Sequence, residues 1–211
     1  LLCISAIWGK SGIIMTQKEA AASVKAFREL CPEIVNYWYS LEKAIARCLT
    51  LRADVKCGKL TMEYRKPFLA IRLPSGRRLY YYKPRIVPVE KRFVDVETGE
   101  ERRYTQNEFR YEGMGTKKKV WGEQSSHGGK IVENCVQGIA NDILNEGIRR
   151  AFNAGFRIPF HVHDEIVTEA KIGTGRKQLE QLIALMTDEL WWAKGLKLKA
   201  AGWVGLFYKK D

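Results

Sequence analysis

The 211-residue chain has no CxxC pair, only three histidines and six prolines, and no apolar run of membrane length. Each scarcity excludes something. Five cysteines (Cys3, Cys31, Cys48, Cys57, Cys135) are an odd number without paired spacing. That argues against a disulfide framework or a zinc ribbon and leaves them as small core residues. The N-terminal apolar stretch is broken by Gly9 and Lys10, well short of the roughly 20 residues a span needs. It also lacks the basic front and small-residue cleavage site of a signal peptide. There is no internal repeat and no low-complexity tract. A soluble chain of cytoplasmic type is expected, with no membrane partner. Residue 1 is Leu, and the chain opens inside an apolar stretch without a cap, so it is expected to be the C-terminal part of something longer.

What is abundant is positive charge. Lys and Arg number 36 against 24 Asp and Glu, a net +12 and a pI near 9.5. Between Lys56 and Lys119 stand 17 basic and 8 acidic residues, so most of the excess lies in the middle third. Such a stripe favours a polyanion, with nucleic acid the commonest. A basic surface kept for solubility is the alternative. At 45% hydrophobic and 11% aromatic, the chain has material for one sizeable core or two small ones.

Thr16-Gln17-Lys18-Glu19 is a capping box. It opens an amphipathic helix with Ala20, Val24, Phe27 and Cys31 at helical spacing. Pro32 suits the first turn of a second helix through Ile34, Val35, Trp38, Leu41, Ile45 and Cys48. From Lys59 to Tyr82 the texture is β, with Pro74-Ser75-Gly76 turning the chain into Leu79-Tyr80-Tyr81-Tyr82. Residues 83 to 126 are polar, basic and weakly periodic; they are expected to form an excursion of short strands, with a turn at Thr98-Gly99. A helix is predicted from Lys130 to Phe156, burying Ile131, Cys135, Ile139 and Ile143 with Val132, Val136, Ala140 and Leu144 beside them. Its other face carries Asn134, Gln137, Asn141 and Asn145. Amides both donate and accept, so they can read base edges or sugars, or simply face water. Two short strands meet at His163-Asp164, a last helix spans Arg176 to Trp192, and Leu196 to Ala200 and Trp203 to Tyr208 alternate as closing strands. The fold class is α+β.

His161-Val162-His163-Asp164-Glu165 is the densest cluster of ligand-capable side chains. It can be read in three ways. Histidines at i and i+2 share a strand face, as in some metal hydrolases, although a three-histidine site would also need the distant His127. A hydrogen-bonded structural hairpin is the second reading. The third is a Mg²⁺ site, because adjacent carboxylates at a hairpin tip suit a hard cation that keeps substrate phosphates as further ligands.

Val162-His163-Asp164-Glu165-Ile166-Val167 resembles motif C of the family A DNA polymerases, the bacterial polymerase I-like group. Upstream, Gln137-Gly138-Ile139-Ala140-Asn141-Asp142-Ile143 resembles the family's Q-G-x-A-x-D-I run. Leu73-Pro74-Ser75-Gly76-Arg77, Gly128 to Asn134, Trp192 to Leu196 and Lys199 to Gly202 resemble the bacteriophage and prophage branch. The resemblance implies a DNA-templated nucleotidyltransferase: residues 1–58 a helical fingers-like segment, 59–126 a basic β-rich excursion, and 127–211 a palm segment carrying the motif C carboxylates. It implies that Asp164 and Glu165 are the catalytic and Mg²⁺-binding residues of a two-metal site. His163 would lie against the primer terminus, and Gln137 would donate to the minor groove, with Lys130 and Asn134 on nearly the same face. Arg77, Arg78 and the run Lys117 to Lys119 are expected at phosphates, from charge alone. Primer–template DNA and dNTPs are the implied partners.

The departures matter equally. No D-Y-S-Q-I-E-like run supplies the other metal-binding aspartate, and no R-x-x-x-K helix followed by an aromatic and Y-G supplies the nucleotide site. The chain is therefore expected to be inactive alone and to need an upstream polymerase segment carrying those motifs. A non-catalytic DNA-binding module or a polymerase relic is the alternative.

Overall fold

The computed structural model describes residues 15–94, 101–115 and 119–208. These divide into two units. One comprises the described residues up to Ile71 together with Tyr80–Val132; the other is Arg72–Leu79 with Glu133 onward.

In the first unit the capping box forms as expected. The Thr16 hydroxyl accepts from the Glu19 amide, and the Glu19 carboxylate takes the Thr16 N–H at 2.8 Å. These bonds hold the Glu19 carboxyl below its ordinary pKa. Helix α1 (Gln17–Leu30) follows, then α2 (Pro32–Leu51), with proline in its first turn. The rings of Phe27 and Trp38 stack at 6.0 Å, while Leu41, Ile45 and Cys48 of α2 are fully buried. Six strands then lie in sequence order: β1 (Val55–Cys57), β2 (Leu60–Arg65), β3 (Phe68–Arg72), β4 (Arg78–Val94), β5 (Glu101–Met114) and β6 (Trp121–Ser126). Leu69, Ala70 and Ile71 are consecutive and all buried, so β3 is covered on both faces. Burying each large apolar side chain of this kind contributes about 1.5–3 kcal/mol. Cys48 and Cys135 are core residues as expected, and burial pushes their thiols up to about 11 and about 12. Cys31 and Cys57 are half-buried.

The basic excursion departs from its expected short strands. β4 and β5 run 17 and 14 residues and pair from Val94↔Glu101 to Tyr82↔Glu112. Their periodicity is hidden because charges stand on both faces and are matched across the ladder. Lys83 meets Glu112 at 3.0 Å, Lys91 meets Glu108 at 2.9 Å, and Glu123 of β6 takes Arg110 at 2.7 Å and also Arg85. Between Tyr82 and Arg85 the strand advances three residues against two on β5, a bulge. Pro84, which has no N–H, and Lys83, with φ +46°, occupy it. Thr98-Gly99 lies outside the described residues, as do Lys117 and Lys118.

In the second unit Leu73–Arg77 forms the expected tight turn. The Gly76 N–H reaches the Leu73 carbonyl at 2.9 Å, with Pro74 at the second position and Gly76 at φ +91°. Helix α3 (Gly128–Asn153) starts in the first unit and continues through the second. It ends three residues earlier than expected. Gly155 (φ +84°) closes it, with Phe156 N–H on the Ala151 carbonyl and Gly155 N–H on that of Phe152, a Schellman arrangement. Its buried stripe is also narrower, because Ala140 is exposed and Val136 is 56% exposed. Strands β7 (Arg157–Val162) and β8 (Glu165–Glu169) form a separate two-stranded sheet. α4 (Gly175–Thr187) stops short of the expected Trp192, and a 3₁₀ turn covers Trp191–Ala193. The expected closing strands do not form; residues 194–208 carry no strand. Among the described residues their alternating apolar side chains have no partner strand to pair with, and Leu206 and Phe207 stand exposed. The α+β class holds. No described helix is long and apolar enough to cross a membrane.

Candidate functional site

The β7–β8 hairpin is closed by two residues, His163 and Asp164, between the paired Val162 and Glu165. His163 takes φ +52°, the left-handed conformation that primed hairpin turns need at their first central position. β7 therefore ends at Val162, and His161 and His163 are not an i, i+2 pair on one strand. Among the described residues no group of three or more His, Cys, Asp or Glu side chains could hold a metal. Asp164 is exposed in the turn, and its carboxylate makes no hydrogen bond or ion pair among the described residues. Glu165 is held differently. The Tyr208 hydroxyl donates to its Oε2 at 3.2 Å, and the Tyr208 ring meets Phe160 edge-on at 5.4 Å. By register Phe160 and Glu165 share one hairpin face, which Tyr208 spans. On the opposite face Ile166 approaches α3 at Gly147, where an added methyl would meet Met186 of α4 at 3.4 Å and Ile166 at 3.8 Å. One carboxylate is thus free at the tip, and its neighbour is steadied from the side.

Two separate sequence blocks meet at α3. Asp142, whose side chain is 8% exposed, accepts from the Ser75 hydroxyl at 2.5 Å and from Arg77 Nε at 2.5 Å. Arg77 Nη2 donates to the Gly138 carbonyl at 2.7 Å. A methyl at Gly138 would stand 2.9 Å from Leu73 and 3.2 Å from the Arg77 guanidinium, so only glycine lets the turn seat this closely. Gly138 and Asp142 dock the Leu73–Arg77 turn, and Arg77 braces that joint. This role was not visible in the sequence, where Arg77 stood only as a charge. Beside the joint lies a cleft of about 360 Å³ lined by Asp142, Glu146, Arg149 and Trp191. Trp191 is 84% exposed. Arg149, at 2.6 Å, holds the Glu146 carboxyl below its ordinary pKa.

Along α3, Lys130, Asn134 and Gln137 recur at four and three residues and so share a helix face. Gln137 and Lys130 are exposed and Asn134 is half-buried. Arg78, the first residue of β4, is exposed. Lys119 is described, with φ +49°. The structure joins Arg77 to the α3 helix that carries Gln137 and places Asp164 and Glu165 together. Tyr208 and Trp191 are members of these arrangements that the sequence reading did not single out, and Asp142 stood there only as the aspartate of the Q-G-x-A-x-D-I run, with no role assigned. No local pattern marks their contacts, because each acts across a long stretch of chain.

Against known proteins, the chain is similar to the DNA polymerase of Bacillus phage SP02. The two are 38% identical over 198 residues, which is 93% of this chain and 28% of that polymerase. The chain spans less than a third of the relative's length. No family model matches, and no solved structure matches.

Proposed function

We propose that this chain contributes the motif C part of a family A type DNA polymerase, acting in DNA-templated transfer of nucleotides from dNTPs to a primer 3′-hydroxyl. The observation that carries the reading is the hairpin tip, where Asp164 is exposed and, among the described residues, unpaired, beside a Glu165 steadied by Tyr208. The 38% identity to a phage DNA polymerase across nearly the whole chain gives that tip its context. Residues 127–211 act as the palm segment, joined by the Leu73–Arg77 turn, with residues 1–58 fingers-like and 59–126 the basic excursion.

The tip fits Mg²⁺ in kind. Its donors are hard oxygens, and Mg²⁺ takes one or two protein carboxylates with substrate phosphates completing the shell. Asp164 would hold the ion directly, with Glu165 assisting. When bound, a metal pair supplies activation of the attacking hydroxyl and charge stabilisation at the leaving group. The second aspartate and the nucleotide-binding helix come from an upstream polymerase segment, since no such motifs occur here. His163 lies at the primer terminus. Gln137 donates to minor-groove acceptors, which every base pair presents, and Asn134 and Lys130 extend the same face. Arg78 and Lys119 contact phosphates in this reading, on the ground of their charge.

The second reading, a DNA-binding module without chemistry, is favoured by the net charge of +12. Primer–template binding separates the two. With the upstream segment supplied, the polymerase reading expects Mg²⁺ to tighten binding in the presence of dNTP, and Asp164→Asn to abolish that gain. Binding that weakens steeply with salt yet ignores both Mg²⁺ and Asp164 supports the module instead.

A further inference from the structure

Three consecutive tyrosines divide between the two faces of the first unit's sheet. Tyr81 is buried and packs edge-on against Phe109 and Tyr111. Tyr80 and Tyr82 stand on the other face. There the Phe68 ring of β3 meets Tyr80 at 5.8 Å and Tyr82 at 5.3 Å, and Tyr82 meets Trp121 of β6 at 6.3 Å. The register agrees with these contacts. Tyr82 lies opposite Glu112, Glu112 opposite Glu123, and Trp121 is two residues from Glu123. Four rings from three strands thus form one row, Tyr80–Phe68–Tyr82–Trp121. Phe68 and Tyr82 are half-buried and fix its middle, whereas Tyr80 and Trp121 are 59% and 56% exposed at its ends. More than half of each end ring stays in water, so core packing does not account for them.

Charge decides what the row suits. The carboxylates sharing this face are neutralised, Glu112 by Lys83 at 3.0 Å and Glu123 by Arg110 at 2.7 Å and by Arg85. The Lys83 ammonium also lies 5.1 Å from the centre of the Tyr82 ring. Two further cations have no such partners. Lys66 is two residues before Phe68, and Lys119 two before Trp121. Both are exposed, and neither ammonium makes an ion pair or hydrogen bond among the described residues. Exposed rings with uncompensated cations beside them match a strand of unpaired bases, whose rings stack while its phosphates meet the charge. An apolar protein partner would leave both lysines without a counter-charge.

We propose that this row is a stacking platform for single-stranded DNA, with one base on Tyr80, another on Trp121, and phosphates of the same strand at Lys66 and Lys119. Stacking of this kind reads no sequence, because every base has a π-face. The choice of DNA rests on the polymerase reading. The platform itself uses neither Asp164 nor a metal.

The test follows the anisotropy of labelled octamers titrated with the 211-residue chain in EDTA, comparing oligo-dT with an abasic strand of equal phosphate count. Tyr80→Ala, Trp121→Ala and Trp121→Phe are run beside Tyr104→Ala, which removes an exposed ring on the β4–β5 ladder outside the row. Thermal melts check that each variant folds, and the comparison of the two strands on the unmodified chain needs no variant. Binding of the dT octamer at least about tenfold tighter than the abasic strand supports the platform, provided either alanine variant weakens it about tenfold while Trp121→Phe and Tyr104→Ala keep most of it. Lys66→Gln and Lys119→Gln should each flatten the slope of log K against log salt by about 0.7. Equal affinity for the two strands, no binding, unchanged affinity in folded Tyr80→Ala and Trp121→Ala, an equal loss in Tyr104→Ala, or an unchanged salt slope in both lysine variants overturns the inference. So do row variants that turn a dimer into a monomer without changing strand affinity, which would make the row an interface between copies. Because EDTA removes any metal, failure here leaves the motif C reading standing, and primer extension indifferent to Asp164 leaves the platform standing.

Discussion

The β4–β5 ladder and the β7–β8 hairpin are both antiparallel, charged and exposed, but they use their carboxylates differently. In the ladder Glu112 and Glu108, and beside it Glu123 of β6, each face a cation within 3.0 Å. In the hairpin the far end behaves the same way, with Arg157 and Glu169 at 3.0 Å. The near end does not. Asp164 faces no cation among the described residues, and Glu165 receives a neutral phenol. Charge that stabilises the fold is paired; charge left over at a turn tip is available to something else. The contrast also tempers the sequence's basic stripe, since much of its Lys and Arg is already matched across the strands.

The comparison can be broken at several points. The largest effect is expected at Asp142, the buried carboxylate that seats the Leu73–Arg77 turn. Asp142→Ala should cost about 2–4 kcal/mol in denaturant unfolding, because it strands a partly buried guanidinium and a hydroxyl. A loss below about 0.5 kcal/mol would mean the joint is not structural.

Next comes the ladder. Lys91 chiefly, with Arg110, holds the Glu108 carboxyl below its ordinary pKa. Its contribution is therefore complete above the unfolded value and fades as pH falls through the lower folded value. Glu108→Gln should cost at most about 1 kcal/mol at neutral pH. The gap between mutant and parent melting temperatures should close in acid; a gap that widens there would contradict the pairing. The smallest stability effect is expected at the tip. Asp164→Ala should change unfolding by less than about 0.5 kcal/mol, as for an exposed residue without partners. A cost near that of Asp142 would give Asp164 a structural role.

Much of this was legible where a signal is local. The Thr16–Glu19 box, the Pro74–Gly76 turn, the α2 apolar face and the His163-Asp164 hairpin each lie within a few residues of one another. Long-range features were not. The lengths of β4 and β5 depend on cross-strand ion pairs, which neither strand's pattern reveals alone. The Gly155 closure of α3 was written in the sequence but was overridden by Phe156 continuing the apolar count. The C-terminal residues alternate like strands, yet a strand needs a neighbour, and alternation does not supply one. At the candidate site, Asp164 and Glu165 were visible as a pair. Tyr208 at Glu165 and Asp142 at Arg77 lie 43 and 65 residues from their partners, so no single motif shows either pairing.

The most direct test of the account is primer extension with Mg²⁺ by this chain assembled with the unmatched remainder of the phage SP02 DNA polymerase. Wild type and Asp164→Ala are compared after their melts are shown to agree. The account predicts that the wild-type assembly extends the primer and that Asp164→Ala loses the rate by orders of magnitude while remaining folded. A wild-type assembly that extends nothing, or an Asp164→Ala assembly that extends as fast as wild type, contradicts it.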